Sequence, residues 1–297
     1  MLFEKGDSLA IVAPSSPVEK GSLEKAVLYF RSHGFDLIES KHLYDSNRFL
    51  AGSDEVRAND LMTAFLDQNI KGIFTARGGY GSMRILDLLD YEVIKQNPKP
   101  LFGLSDSTAL QLALYKKAGL CSYTGLSLAY DFKEGLLTPF LENEFWQIVN
   151  EEDRIFKLES LRTGDAEGPV IAGCLSLIVS LLGSDYCPGF TNAILIIEDV
   201  GEQPYRVDRM LYQLHLAGVF KKISALIFGQ FRNCKSLDPA DGAMSDVIDD
   251  CLNYCPCPVF HNFAYGHEMA RHIIQIGALG KIHNTELAIK VNSIFVQ

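Results

Sequence analysis

No stretch of this sequence is apolar for long enough to cross a bilayer. A membrane helix needs about 20 apolar residues. The longest apolar segment, Pro169 to Gly183, is shorter and is broken by Ser176 and Ser180, so it reads as a buried segment. A secretory leader is not expected either. Met1-Leu2-Phe3-Glu4-Lys5-Gly6-Asp7 carries acids where a basic region should stand, and the apolar run from Leu9 to Pro14 behind it is too short. Basic residues are scarce, 27 against 37 acidic ones. Phosphate binding needs a basic face, so this balance argues against a nucleic-acid partner. The sequence has no internal repeat and no low-complexity tract. It also lacks the paired C-x2-C of zinc sites. Cys251, Cys255 and Cys257, with His261 nearby, are spaced C-x3-C-x-C and read as thiols near a proline-kinked strand entry rather than as a metal site. Seven cysteines, an odd number with no export signal, fit reduced thiols in a cytoplasm.

What is present is an ordinary globular balance, with 47% hydrophobic and 22% charged residues over 297 positions. That is enough to bury a sizeable core and to form about two domains. The first 120 residues alternate short apolar runs with helical periodicity. Ser8 to Ala13, Phe35 to Ile38, Gly72 to Ala76 and Leu101 to Leu104 read as strands. Between and after them, Leu23, Ala26, Val27 and Phe30 share one helix face, as do Ala58, Leu61, Met62, Phe65 and Leu66. Ser22 and Ser53 stand where N-caps belong, and Asp106 to Lys117 reads as a further helix ended by Gly119. This order predicts an α/β fold with a parallel sheet, whose ligands bind beyond the carboxyl ends of the strands. Residues 126 to 166 look irregular, and Asp131 to Gly164, which contains the single tryptophan Trp146, reads as a connecting region. The second half is strand-rich: Ala193 to Ile197, Ala225 to Phe228, Val259 to Ala264, Ile273 to Ile276 and Leu287 to Val291 read as strands, with one clear helix over Tyr205 to Ala217. The expected division is 1–150 and 151–297, with the connection beginning at about 126.

Strand ends carry the candidate chemistry. After Leu101 to Leu104 comes Ser105-Asp106-Ser107, where a serine at a strand-to-helix turn sits against free N–H groups and a helix dipole. That suits a nucleophile whose attack creates an oxyanion, although the local pattern alone favours simple helix capping. After the third strand, Arg77-Gly78-Gly79-Tyr80-Gly81 is neither G-x-G-x-x-G nor a P-loop. It fits either a backbone cradle for an oxyanion or carboxylate, or a tight turn. Ile194 to Ile197 runs straight into Glu198-Asp199, and a carboxylate at the end of a buried strand is costly without a partner. His267 follows Tyr265-Gly266 near another strand end.

Arg77-Gly78-Gly79-Tyr80-Gly81, Gly103-Leu104-Ser105-Asp106, Glu198-Asp199-Val200-Gly201-Glu202 with Tyr205 to Leu211, and Tyr265-Gly266-His267 occur in one order. In that order they resemble the LD-carboxypeptidase family of serine peptidases, which also includes the microcin C immunity hydrolases. The resemblance runs from Ile11-Val12-Ala13-Pro14-Ser15-Ser16 to the last strands. It implies a flavodoxin-like N-terminal α/β domain carrying the nucleophile and a β-rich C-terminal domain carrying the other two members of a Ser-His-Glu triad. Position by position it implies Ser105 as nucleophile, His267 as general base and Glu198 as the residue orienting the imidazole. The backbone N–H groups of Gly79 and Asp106 would form the oxyanion hole. Arg77 and Tyr80 are candidate substrate contacts, with Arg77 as readily a brace for its own loop. The resemblance implies no metal and no cofactor, a peptide or muropeptide substrate and a homodimer; the expected cytoplasmic location rests on the lack of a secretory signal. The leading reading is cleavage of the terminal D-alanine from murein tetrapeptides after meso-diaminopimelate in cell-wall recycling, favoured by the shortness of Asp185-Tyr186-Cys187-Pro188-Gly189; the alternative is cleavage of a peptidyl-nucleotide amide, and a non-catalytic small-ligand binder is the reading outside the family. Two stretches depart from the family pattern: Ala172-Gly173-Cys174 where Gly-Gly-Asn is usual, and Tyr123-Thr124-Gly125 where a His-Gly-Pro-like turn is common.

Overall fold

The apolar runs of the first half become five parallel strands, and their helices cover both faces. In the computed structural model, which describes residues 1–291, these are β1 (Ser8–Val12), β2 (Asp36–Glu39), β3 (Ile70–Thr75), β4 (Leu101–Gly103) and β5 (Ser122–Thr124). Their order in the sheet is β2-β1-β3-β4-β5, the flavodoxin-like order, with binding expected at the carboxyl edge. Four helices accompany them: α1 (Glu24–Ser32), α2 (Asp54–Leu66), α3 (Tyr91–Gln96) and α4 (Ser107–Ala118). Ser53 caps α2 by accepting from the Val56 N–H at 3.3 Å. Ser22 does not cap α1, because its hydroxyl turns back to the Glu19 carbonyl and Leu23 takes the cap position. Gly119 ends α4 in the left-handed conformation, as its position suggests.

The stretch expected to be a connection is largely regular. It holds α5 (Leu128–Asp131), α6 (Pro139–Val149) and the strands β6 (Arg154–Lys157) and β7 (Glu159–Arg162). Leu141, Phe145, Ile148 and Val149 bury one face of α6 against the first sheet. There Phe145 meets the stacked rings of Phe74 and Phe102, whose centroids are 4.8 Å apart.

The second half is built on a mixed sheet of eight strands, ordered β6-β14-β13-β8-β9-β10-β11-β7. The remaining strands are β8 (Ala166–Cys174), β9 (Ile194–Val200), β10 (Ala225–Arg232), β11 (Val259–His261), β12 (Ile274–Ile276), β13 (Leu279–His283) and β14 (Glu286–Lys290). The helices are α7 (Leu175–Leu181), α8 (Pro204–Leu216) and α9 (Met244–Cys251). β8, β9, β10 and β11 run parallel at the centre, and Ile194 to Ile197 are fully buried there. Both faces are covered, so this segment reads as a continuous apolar run without alternation.

The chain crosses back once more. β12 pairs antiparallel with β5 and completes the edge of the first sheet. Buried charge secures the crossing. Arg271 donates to both oxygens of Asp131 at 2.6 Å, with both side chains fully buried. Arg154 pairs with Glu144, whose other oxygen lies 3.1 Å from His272 Nδ1. His272 packs among the rings of Phe140, Phe156 and Phe263. Burial, with the Arg154 guanidinium beside it, pushes the imidazole down to about 4 from its usual 6.5.

The sign of the resulting pH dependence follows. The folded protein keeps His272 neutral, whereas the unfolded chain protonates it near its ordinary pKa. The stability tied to the neutral ring is complete above about pH 6.5 and is lost as pH falls towards 4, by at most about 3 kcal/mol. Urea midpoints at pH 7 and pH 4.5 check this: the drop between them is expected to be smaller in His272→Asn than in the parent.

Candidate active site

Ser105 lies between the end of β4 and the start of α4, with φ +66°. Few non-glycine residues adopt this left-handed conformation. It swings the side chain off the carboxyl edge of the sheet. The glycines around it allow the close approach. A Cβ on Gly78 would stand 2.7 Å from Ser105 Cβ, and one on Gly103 would stand 2.7 Å from Ser107 Cβ.

None of the three residues at this turn caps α4 with its side chain. The Ser107 hydroxyl pairs with Thr75 Oγ1 at 3.1 Å. The Asp106 carboxylate accepts from Ser15 Oγ at 2.6 Å and from the Ser82 N–H at 2.8 Å, while Ser82 Oγ donates to the Asp106 carbonyl. Asp106 therefore ties the loops after β1 and β3 to the serine turn. The backbone N–H groups of Gly79 and Asp106 have no acceptor among the described residues.

Glu198 sits on β9 with no exposed surface. Its cost is offset by two partners: Oε2 lies 2.8 Å from His267 Nδ1, and Oε1 accepts from Cys174 Sγ, also at 2.8 Å. Cys174 is directly opposite Glu198 in the parallel β8–β9 register. Burial, and the two carboxylates beside it, raise the Cys174 thiol well above its ordinary pKa, so it is a donor rather than a thiolate. Asp199 points the other way, accepting from the Ser176 and Val200 N–H groups at 2.8 and 2.9 Å. His267 reaches Glu198 because the chain turns tightly at Gly266, where φ is +131° and a Cβ would lie 2.8 Å from Glu198 Oε2. The backbone of His267 is held as well, since Arg232 Nη1 donates to its carbonyl at 2.8 Å. Tyr265 joins the two sheets through its hydroxyl, 2.9 Å from Thr124 Oγ1 at the end of β5.

A cavity of about 490 Å³ opens where these elements meet. Arg77, Gly78, Gly79, Ser105, Tyr130, Arg232 and His267 are on its wall. The structure thus brings Ser105, His267 and the Gly79 backbone to one space, with Glu198 directly behind His267. No hydrogen bond links Ser105 Oγ to the imidazole among the described residues; such bonds often tighten only around substrate. Arg77 donates to the Pro17 carbonyl at 3.3 Å, so it braces its loop while facing the cavity. Tyr80 is not on the wall; it is half exposed, with its ring centroid 5.4 Å from that of Phe49. Ser127, Tyr130, Arg232 and Asn233 are wall residues that the sequence reading did not single out. The cysteine cluster stands apart, with Cys255 and Cys257 sulfurs 3.4 Å apart and His261 directed at Glu159 instead.

A carboxylate offers only acceptors, so its short contact fixes the neutral imidazole with hydrogen on Nδ1. Nε2 is then left as a base facing the cavity. A hydroxyl, a base and free N–H groups around one space form the apparatus of acyl transfer.

Residues 9–125 match the sequence profile of the LD-carboxypeptidase N-terminal domain, and residues 167–282 match that of the LD-carboxypeptidase C-terminal domain. The chain belongs to the LD-carboxypeptidase family. It is accordingly a serine carboxypeptidase by type. It is 30% identical over 290 residues to a probable murein peptide carboxypeptidase of Bacillus subtilis, covering 96% of this chain and 91% of that one. A muramoyltetrapeptide carboxypeptidase from Oxalobacter formigenes superposes with TM-score 0.88 at 29% identity, over 95% of this chain and 99% of that one. The microcin C7 self-immunity protein MccF, in complex with aspartyl sulfamoyl adenosine, superposes with TM-score 0.87 at 25% identity, over 99% and 98%. Proteins with differently described activities thus share this fold. Among the described residues no helix is long and apolar enough to cross a membrane.

Proposed function

We propose that this LD-carboxypeptidase removes the terminal D-alanine of murein tetrapeptides, by attack of Ser105 on the amide carbonyl that follows meso-diaminopimelate. His267 takes the hydroxyl proton and passes it to the leaving amine, and Glu198 holds the ring and stabilises the imidazolium. The N–H groups of Gly79 and Asp106 receive the oxyanion. Water then hydrolyses the acyl-enzyme. The reading includes a division at 150/151, with Ser105 on one side and Glu198 and His267 on the other, and a homodimer working in the cytoplasm. The observation that carries it is the shared cavity of Ser105 and His267, with Glu198 2.8 Å behind the imidazole.

Features of the wall support a peptide over a nucleotide conjugate. Tyr130 is the one phenolic ring among the cavity residues. Tyr186, in the loop where a base-stacking aromatic would be sought, lies beside Tyr91 instead, with ring centroids 6.0 Å apart. Two guanidinium groups, Arg77 and Arg232, face the space, and guanidinium suits the carboxylates of a murein peptide. Mass spectrometry of murein tetrapeptide incubated with the protein tests the proposal. The expected product is tripeptide plus alanine. An intact tetrapeptide alongside cleavage of an aminoacyl sulfamoyl nucleotide would reverse the assignment of substrate.

A further inference from the structure

The reaction proposed above needs no thiol, yet one is built into the site. Cys174 Sγ, a Glu198 oxygen and a His267 ring nitrogen all lie within 4.8 Å of one another. Among the described residues this is the one group of three or more such side chains that converges in this way. We propose that Cys174, Glu198 and His267 form a binding site for a thiophilic divalent cation of the Zn²⁺ type, and that an ion bound there switches the serine off. Only the inhibition rests on the reaction proposed above; the binding does not.

A sulfur, an imidazole nitrogen and a carboxylate oxygen make a ligand set suited to Zn²⁺, and a poor one for Mg²⁺ or Ca²⁺. Zinc bonds of about 2.0–2.3 Å in tetrahedral geometry place ligand atoms roughly 3.3–3.6 Å apart. The sulfur meets Oε1 of Glu198 and Nδ1 meets Oε2, so an ion between them takes the carboxylate through both oxygens; each 2.8 Å contact widens by at least about half an ångström, and sulfur and nitrogen, within 4.8 Å now, draw together. The backbone already supports the set. Cys174 and Glu198 are register partners on neighbouring strands, and Arg232 holds the backbone of His267. The ion lies behind the imidazole, which forms part of the cavity wall, so entry requires the ring to swing aside, and the two Glu198 oxygens with the sulfur and Nδ1 complete four positions.

The step balances without electron transfer. Metal–sulfur, metal–oxygen and metal–nitrogen bonds form. The S–H bond of Cys174 breaks and its proton leaves to solvent. The Nδ1 proton of His267 is released and Nε2 takes one up, so the ring stays neutral. The ion's two positive charges then meet one thiolate and one carboxylate, leaving no net charge in a buried place. With Nε2 protonated, the imidazole cannot accept the proton of Ser105. The ion inhibits by fixing the wrong tautomer, without covering the serine.

The test uses the full chain freed of metal by chelation and then titrated with Co²⁺, whose thiolate bonds absorb in the near ultraviolet. The expected result is a thiolate-to-cobalt band in the parent and in the Cys255→Ser/Cys257→Ser variant, and no band in Cys174→Ser or Cys174→Asn. Circular dichroism checks the fold of each. Zn²⁺ is expected to remove the band by competition and to inhibit tetrapeptide cleavage reversibly. The half-inhibiting concentration should rise at least about tenfold in the Cys174 variants, each referred to its own metal-free rate. A parent with no band, a band that survives in the Cys174 variants, or one that vanishes with Cys255 and Cys257 overturns the proposal. A chain that gives the Cys174-dependent band yet leaves the tetrapeptide intact upholds the metal site and refutes the assigned substrate.

Discussion

Ser105→Ala is expected to leave the protein folded and to lower tetrapeptide turnover by about 10⁶-fold, or to whatever residual rate the N–H groups and binding alone sustain. Both halves of this expectation come from the geometry. The serine hydroxyl has no hydrogen-bond partner in the fold among the described residues, so its loss leaves no buried group unsatisfied. The left-handed backbone at φ +66° is as unfavourable for alanine as for serine, so the strain is unchanged. A melting temperature within a degree or two of the parent's is therefore expected, since stability should move by no more than about 0.5 kcal/mol. Turnover behaves differently, because the reaction loses the atom that bonds to the carbonyl carbon. Mass spectrometry of the product and a thermal melt on the same sample read the two effects separately. Turnover within tenfold of the parent's would remove Ser105 as the nucleophile and leave the free N–H groups at Gly79 and Asp106 as a plain binding cradle.

The parts of this site visible in the sequence are those fixed locally. Gly-rich turns, a serine between an apolar run and a helix, and acids closing a buried strand all mark strand ends, and a parallel sheet collects its strand ends on one edge. The hidden parts depend on pairing across the chain. Cys174 meets Glu198 only through the β8–β9 register, which no local pattern encodes. Arg232 lies beyond the expected end of its strand because β10 shifts register between Phe228 and Phe231 and then continues. The irregularity hides the last residues of β10 from a simple apolar count. α6 has a legible period in Leu141, Phe145, Ile148 and Val149, but the charged and proline-containing stretches on either side obscured it. β12 reads correctly as a strand; its membership of the first sheet follows from an antiparallel pairing with β5, some 150 residues earlier in the chain. Ser22 fails as a cap because the Glu19–Ser22 turn satisfies its hydroxyl first.

Glu198→Gln is the second large effect expected, about 10⁴-fold in turnover, and its cause is a proton in the wrong place. The carboxylate has an acceptor for each of its two neighbours, Cys174 Sγ–H and His267 Nδ1–H. A glutamine amide has one acceptor and one donor side, so it satisfies one neighbour at the other's expense. If its oxygen faces His267, the amide donates to a thiol sulfur, which is a weak acceptor. If its oxygen faces Cys174, the amide N–H meets Nδ1 and forces the ring proton onto Nε2. The second arrangement makes the better pair of hydrogen bonds, and it yields an imidazole that cannot take the serine proton. A comparable loss accompanies the corresponding amide change in Ser-His-Asp enzymes. Binding of the tetrapeptide should change little, because Glu198 has no surface on the cavity. The decisive comparison is the double variant. If Ser105, His267 and Glu198 act as one unit, Ser105→Ala/Glu198→Gln is no slower than Ser105→Ala alone. If the two losses multiply, Glu198 serves some other step, and the triad assignment fails even though each single variant is inactive.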